Sequence, residues 1–434
     1  GSILADSFEE LKRRCEAAGL RYEEDREHEA LVLHFPRGRE KIEVHVAFDE
    51  EAQQLLRQPF ETYRAIQGFQ ATWSSEQGVI ECNLLWPSLH TTRPDARVLY
   101  QWGVGHVLQQ LGLDVHPNQI NFASDQRAEF STRTGLSISI GPCSDMHGIL
   151  LYPMDFMDFN YDQDPWRTLT IRIEGVVVGR HDDAVQLLRD MADSTLFHID
   201  ISRGLYLALQ SESDWARGNA PLHHLSLGTG AKEEIRYEYD RQPMSLYWHG
   251  KRAEGMPLLQ FLAYYQVLEF YFPRYSEAVA AEALKTILKE PTFDPTAMSD
   301  ISRLLRAVKY NSRSKAFGSE AEQLRATICG CVSAEELQDW LSKGDRYGFY
   351  TSKRARRIAV ETLPLLEKSG DVIEATANRV NAIRNRIVHT KGGSENREPL
   401  FPFDTEVNLL EHDLDLVHFL ARKALIASSK LLRV

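Results

Sequence analysis

Along the stretch KIEVHVAF (41–48), β-branched and apolar side chains alternate with polar ones. That period of two predicts a half-buried strand. The same reasoning predicts strands at VIECNLLW (79–86), LTIRIEGVVV (169–178) and GLYLAL (204–209). Ser7 with Glu10 reads as a capping box opening a short amphipathic helix that Gly19 ends. Further helices are expected at 95–111 and 181–193, with turn-rich connections such as HPN (116–118) and FNYDQDPW (159–166). From Pro257 onward the period changes to that of helices, at 257–272, 274–289, 296–310, 319–330, 333–343, 353–367, 370–389 and 404–429. Pro257 suits a first helical position, and Ser333 with Glu336 caps another helix. The expected fold class is therefore α+β: a mixed α/β N-terminal half over residues 3–245, as one domain or two subdomains, followed by an all-α bundle over 256–434. No internal repeat or low-complexity tract interrupts it.

Composition changes this picture little. A chain of 434 residues has room for two or three domains. A formal net charge of -12 argues against a surface coated in nucleic acid, yet leaves room for a local basic groove. The chain has no apolar run of spanning length and no basic-then-apolar leader, so a cytoplasmic protein is expected. Gly1 and Ser2 read as a cloning remnant. Cys15, Cys82, Cys143, Cys329 and Cys331 are scattered and read as reduced thiols, without metal or redox spacing.

One helix carries the candidate chemistry. On a wheel of about 100° per residue, DVIEATANRVNAIRNRIVH gathers Ile373, Ala377, Val380, Ile383 and Ile387 on one face. Arg384 falls within that stripe, while Asn385 and His389, four apart, share a neighbouring polar face. A guanidinium among apolar side chains needs a carboxylate, a phosphate or an interface. In PLLQFLAYYQVLEFYF (257–272), Leu258, Phe261, Leu262, Tyr265 and Phe272 form the tightest stripe, and Glu269 falls in its middle. Glu269 is therefore the expected neighbour of Arg384. Such a pair fits two roles: a buried ion pair that sets helix register, or part of a catalytic constellation.

The pattern Arg384-Asn385-x-x-x-His389 near the end of a bundle helix, with FLAYYQVLEFYF before it and VHTK at its end, resembles the HEPN superfamily and within it the Apea-like branch known from prokaryotic defence proteins. The resemblance covers about residues 250–434. It implies a metal-independent endoribonuclease without cofactors, working as a homodimer whose motif helices build one composite site, with Arg384, Asn385 and His389 as catalytic residues and Glu269 and Tyr265 supporting them. It also implies an antiphage or toxin effector, with tRNA as one possible RNA substrate. Because an unrestrained ribonuclease would harm its host, the structured N-terminal half is expected to regulate it in answer to an unknown trigger. The alternative is a HEPN-like bundle kept for dimerisation or for binding a nucleotide or RNA without cutting it. The residues suit the chemistry: a histidine can carry a proton near neutral pH, an arginine offers a fork of donors to phosphate, and an asparagine amide can orient either.

A basic cluster, Lys353, Arg354, Arg356 and Arg357, with Arg386 and Lys391 beside the motif, is a candidate RNA-contact patch, to which Tyr347, Phe349 and Tyr350 can add stacking surfaces. The opposing reading is a solvated basic helix. Other signals carry less. GTGAK (228–232) lacks the phosphate-loop pattern, and the histidines of EHDLDLVH (411–418) are six apart. His223-His224 has no acidic companion, and Cys143 near His147 reads as a buried thiol in a turn rather than a nucleophile with its base.

Overall fold

Most of the expected strands and helices form in the computed structural model, which describes residues 3–25, 29–85, 105, 107–114, 126–151, 169–212, 233–253, 255–309, 319–359, 363, 371–388, 398–402 and 405–433. The chain divides into two units, Gly1–Glu238 with Lys430–Val434, and Tyr239–Ser429. The helical unit thus begins earlier than residue 256, because Arg241–Arg252 is a helix that the sequence pattern did not mark. The last residues of the chain belong to the first unit, where Lys430–Leu431 pairs antiparallel with Tyr237–Glu238.

The first unit is built on a mixed sheet. Its strands are β1 (Arg21–Asp25), β2 (Ala30–Arg37), β3 (Glu40–Val46), β4 (Arg64–Ile66), β5 (Ala71–Ser74), β6 (Val79–Leu85), β7 (Ala128–Thr132), β8 (Ser137–Pro142), β9 (Leu169–Glu174), β10 (Ala208–Leu209) and β11 (Glu233–Ile235). The order is β1-β2-β4-β5-β6-β9-β8-β7-β11, with β3 on β2 and β10 on β6. Pairings are antiparallel except β2 with β4 and β7 with β11. β2 was not expected, because six of its residues in a row are buried and the run shows no alternation. α1 (Ile3–Ala18), α2 (Asp49–Leu56) and α3 (Asp145–Leu151) close one core around Leu11, Leu33, Phe35, Val46, Phe60 and Ile149. α1 runs straight through Ser7, so the Ser7–Glu10 box does not open it, but it does end at Gly19, whose φ of 67° suits glycine. α4 (His181–Arg203) extends ten residues beyond the expected end at 193. The expected helix at 95–111 lies largely outside the described residues.

A polar network crosses the centre of this sheet. Glu81 of β6 accepts from Ser144 N at 2.9 Å, from Ser144 Oγ at 2.5 Å and from Thr170 Oγ1 at 2.7 Å. Arg172 Nη2 lies 3.5 Å from it. His147 is fully buried and both its ring nitrogens are engaged, Nδ1 with Thr72 Oγ1 at 2.7 Å and Nε2 with Asn83 Oδ1 at 2.8 Å. Asn83 Nδ2 donates to Gln210 Oε1, which points Oδ1 at the imidazole and makes Nε2 its N–H. Nothing remains of His147 to activate Cys143, a buried thiol in the turn after β8.

Burial brings His147 down to about 4, against the pull of Glu81. Burial works to raise Glu81, but His147 when charged, Arg172, Arg127 and the Ser144 bond outweigh it and hold the carboxyl at about 2. Where Glu81 takes up its proton the imidazole is already charged, so it adds to the pull of the two arginines. Both folded values lie below the ordinary 6.5 and 4.5. The unfolded chain therefore takes up protons first as pH falls. Stability is complete above pH 6.5, declines towards pH 4 through His147, and declines further between 4.5 and 2 through Glu81. Urea melts across this range are expected to lose on the order of 3 kcal/mol between pH 6.5 and 4, and His147→Gln to flatten that segment.

In the second unit the helices are α5 (Arg241–Arg252), α6 (Pro257–Phe270), α7 (Phe272–Leu288), α8 (Met298–Lys309), α9 (Glu320–Cys331), α10 (Ala334–Ser342), α11 (Arg346–Tyr350), α12 (Lys353–Ile358), α13 (Val372–Val388) and α14 (Glu411–Ser428). Pro257 is the first residue of α6, and Ser333 caps α10 by accepting from Glu336 N at 3.1 Å. α12 is a helix of six residues, not the long one expected over 353–367. α6 packs against α5 and α14, and α13 against α9. His418 of α14 is stacked on Tyr264 and Tyr247 and shares a hydrogen bond of 2.9 Å between its Nε2 and Tyr247 Oη, with burial holding it well below its ordinary pKa.

The centre of the bundle holds a charge pair. Arg379 of α13, 1% exposed, grips Asp413 of α14 through two bonds of 2.7 Å, and its other donors reach Ala355 O and Ala359 O at the end of α12. Removing one partner leaves a buried charge uncompensated. Arg379→Met or Asp413→Leu alone is expected to cost about 3–5 kcal/mol in chemical denaturation, and the double replacement to recover most of that loss.

Candidate active site

Arg384 does have a carboxylate partner, but it is Glu320 and not Glu269. Arg384 Nη2 lies 2.9 Å from Glu320 Oε1, and the same oxygen accepts the Tyr265 hydroxyl at 2.9 Å. The guanidinium carbon stands 5.5 Å from the centre of the Tyr265 ring. Its Nη1 donates to Asn385 Oδ1 at 3.1 Å, which orients the neighbouring amide. Three helices therefore meet at one oxygen: α6 supplies Tyr265, α9 supplies Glu320 and α13 supplies Arg384 and Asn385.

Local sequence explains each position. Ser319 and Glu322 form a reciprocal capping box at the start of α9, so Glu320 is held in the first turn, where the helix dipole favours a carboxylate. At the start of α13, Asp371 accepts from the N–H groups of Ile373 and Glu374, and its other oxygen takes Arg325 of α9 at 2.9 Å. Those backbone bonds, with Arg325, hold Asp371 below the usual carboxylate range. The two helices are thus clasped at Arg325–Asp371 and again at Glu320–Arg384.

The electrostatics follow from burial. Tyr265 is 1% exposed; burial raises its hydroxyl, Glu320 raises it further, and Arg384 opposes both. Its phenol stays protonated and donates. Glu269 is an exposed residue near the charges rather than a core one. Its carboxyl is raised by partial loss of solvent and by Glu320, against the pull of Arg384. The Arg384 side chain keeps 19% exposure, and Asn385 is half-buried. Among the described residues nothing else engages Arg384 Nε or Asn385 Nδ2, so both retain donors for a ligand. His389 and Lys391 lie outside the described residues.

The basic cluster separates into two kinds of residue. Lys353, Arg354, Arg356 and Arg357 are exposed on α12. Arg386 is consumed by the fold, in contrast to its expected role in binding RNA: Nη1 donates to Arg357 O and Ile358 O, Nε to Glu398 O, and Nη2 pairs with Glu406 at 2.8 Å. It satisfies orphan carbonyls at the end of α12, as Arg379 does from the same face of α13 seven residues earlier. The basic helix is thereby fixed to the helix that carries Arg384. Two of the expected stacking aromatics are core residues. Phe349 is 8% exposed and lies flat on His412 at 4.3 Å, and Tyr350 is 2% exposed and donates to His412 O.

Glu320 and Arg379 were both missed. Glu320 is marked in the sequence only as an acidic first-turn residue after a capping serine. Arg379 and Arg386, seven apart, form a pattern that the wheel contains but that an apolar-stripe reading passes over. Among the described residues no group of three or more histidine, cysteine, aspartate or glutamate side chains is placed to hold a metal ion. GTGAK and His223-His224 lie outside the described residues.

A double-mutant cycle distinguishes the two carboxylates. Glu320→Gln with Arg384→Gln is expected to show a coupling of about 0.5–1 kcal/mol, modest because both side chains are partly exposed. Glu269→Gln with Arg384→Gln is expected to show less, and Glu269→Gln alone to leave stability unchanged or raise it at neutral pH. Compared with protein-family models, curated proteins and solved structures, the chain finds no match.

Proposed function

We propose that the helical unit is a metal-independent endoribonuclease in which Arg384, Asn385 and His389 act on the scissile phosphate. The observation that carries the reading is an Arg-Asn pair in the last turn of a bundle helix, its guanidinium aligned by Glu320 and Tyr265 yet still bearing free donors among the described residues, with an exposed basic helix tied to it through Arg386. In the reaction a base removes the proton of a ribose 2'-hydroxyl, and the oxygen attacks the adjacent phosphorus. The P–O5' bond then breaks and an acid protonates the departing 5'-oxygen. The products are a 2',3'-cyclic phosphate and a 5'-hydroxyl. Arg384 stabilises the charge that builds on the phosphorus oxygens, Asn385 positions the phosphate or the histidine, and His389 moves the proton. DNA, without the 2'-hydroxyl, survives.

Acid and base roles ask for two proton carriers, which a second copy of the chain supplies as a second His389. Exposed Val279 and Leu288 on α7, and Met298 and Leu305 on α8, offer apolar surface of the kind another copy covers. No helix among the described residues is long and apolar enough to cross a membrane, in keeping with action on RNA in the cytoplasm. A role as an antiphage or toxin effector, with tRNA among its substrates, belongs to the same proposal, as does restraint of the enzyme by the first unit. A second reading, a bundle that dimerises or binds without cutting, is favoured by one observation: Arg384 already has a carboxylate and an aromatic ring, as a purely structural arginine would.

The test is cleavage of end-labelled tRNA and total RNA in EDTA. Wild type is expected to cut and leave 2',3'-cyclic ends, with His389→Ala and Arg384→Ala slower by about 10²-fold or more. Loss of activity in EDTA, or equal cutting by His389→Ala, counts against the mechanism. RNA binding without cutting by the wild-type dimer supports the second reading.

A further inference from the structure

The first unit contains a pocket of about 330 Å³ that no part of the ribonuclease reading uses. Thr62, Arg64, Trp73, Ser75, Glu76 and His181 line it. Its size lies at the lower end of what small-molecule sites occupy and exceeds the needs of a lone ion. The backbone keeps it open at Gly38, also in the lining. There φ is 60°, and a Cβ would fall 2.6 Å from Gln67 Oε1 and 3.0 Å from His181 Cε1.

The charges of the pocket are arranged for a ligand. Arg64 turns Nη1 to two backbone carbonyls, those of Glu61 and Tyr63, each at 2.7 Å. No carboxylate pairs with it among the described residues, and partial burial lowers its pKa. Glu76, exposed at the rim, is near enough to oppose that shift but does not close into an ion pair. A cation and an anion thus face one space without meeting. A plain anion gains from Arg64 and is repelled by Glu76, whereas a molecule with an anion at one end and a hydrogen-bond donor at the other gains from both. Trp73, 7% exposed, contributes to the wall, and its indole Nε1 has no hydrogen-bond partner. Pro36 is the exposed apolar residue of the lining, and the accessible edge of Trp73 adjoins it. His181 accepts the Gln67 N–H on Nε2 at 3.0 Å, so its Nδ1 carries the proton and turns to Asp182 at 3.1 Å, which fixes the ring in place.

The geometry points to a binding site for a nucleoside monophosphate, with the phosphate on Arg64, the base against Pro36 and the edge of Trp73, and an exocyclic amine on Glu76. The site is independent of the ribonuclease reading and gives the first unit a ligand of its own. Isothermal titration of the full chain with AMP, GMP, CMP and UMP is the experiment, with inorganic phosphate, the free nucleosides and the aromatic amino acids as comparisons. At least one nucleotide is expected to bind at sub-millimolar concentration, tighter than either of its halves. Arg64→Gln is expected to weaken it about tenfold or more. Glu76→Gln, a change on an exposed side chain that leaves the fold intact, is expected to weaken the amine-bearing nucleotides about tenfold and UMP less. The proposal is overturned if no nucleotide binds at millimolar concentration, if phosphate or an aromatic amino acid binds as well as any nucleotide, or if both variants bind as the wild type does.

Discussion

The bundle depends on the ion pair between Arg379 and Asp413. Both side chains are withdrawn from water, so their attraction must offset a large desolvation cost, and only two parallel hydrogen bonds with every remaining donor engaged make that tolerable. The requirement is geometric. α13 cannot slide or rotate against α14 without breaking the fork, nor leave α12, whose last carbonyls receive the other guanidinium donors. Arg386, two turns further on, repeats the contact to α12. With one face of α13 committed twice, Arg384 is turned to roughly the opposite side, about 160° around from Arg386. There it meets Tyr265 and Glu320. The register of the candidate site is thus set by residues that take no part in its chemistry.

This division explains what was legible in the chain. That Arg384 needed a partner could be read from its place in an apolar stripe, because helix periodicity is a local property. Which carboxylate it would meet could not, since that depends on which helices cross. Glu269 seemed central on its own wheel and is exposed; Glu320, at a helix start, reads as ordinary capping chemistry and sits at the crossing. The α+β class and most bundle helices were legible, and β2, buried along six successive residues, was not. Phe349 and Tyr350 looked like surface stackers because they precede a basic run, yet a helix of six residues needs aromatic packing beneath it to exist at all.

The first unit makes a similar arrangement with different groups. Glu81, Thr72, Asn83, Ser139 and Thr170 point into the sheet interior from largely apolar strands, and each finds a partner there. A network with this many bonds sets strand register much as the charge pair sets helix register. Arg127 shows the cost. Held by Ser139 and Thr170 and drawn down to about 10 by burial, it remains charged at neutral pH and must keep all its bonds to do so.

Arg384 already carries its own counterion. A phosphate that reaches Arg384 through Nη2, rather than through its open Nε, competes with a carboxylate tethered to the same chain at 2.9 Å. With Glu320 beside it Arg384 is part of a neutral pair, so it adds little to the long-range, salt-screened attraction of an anion. It also sets a threshold. A weakly charged or poorly placed anion leaves the clasp shut, and only a strongly charged one held close by can compete with Glu320 for the guanidinium. Opening the clasp would then free a carboxylate beside Tyr265 at the moment the phosphate arrives.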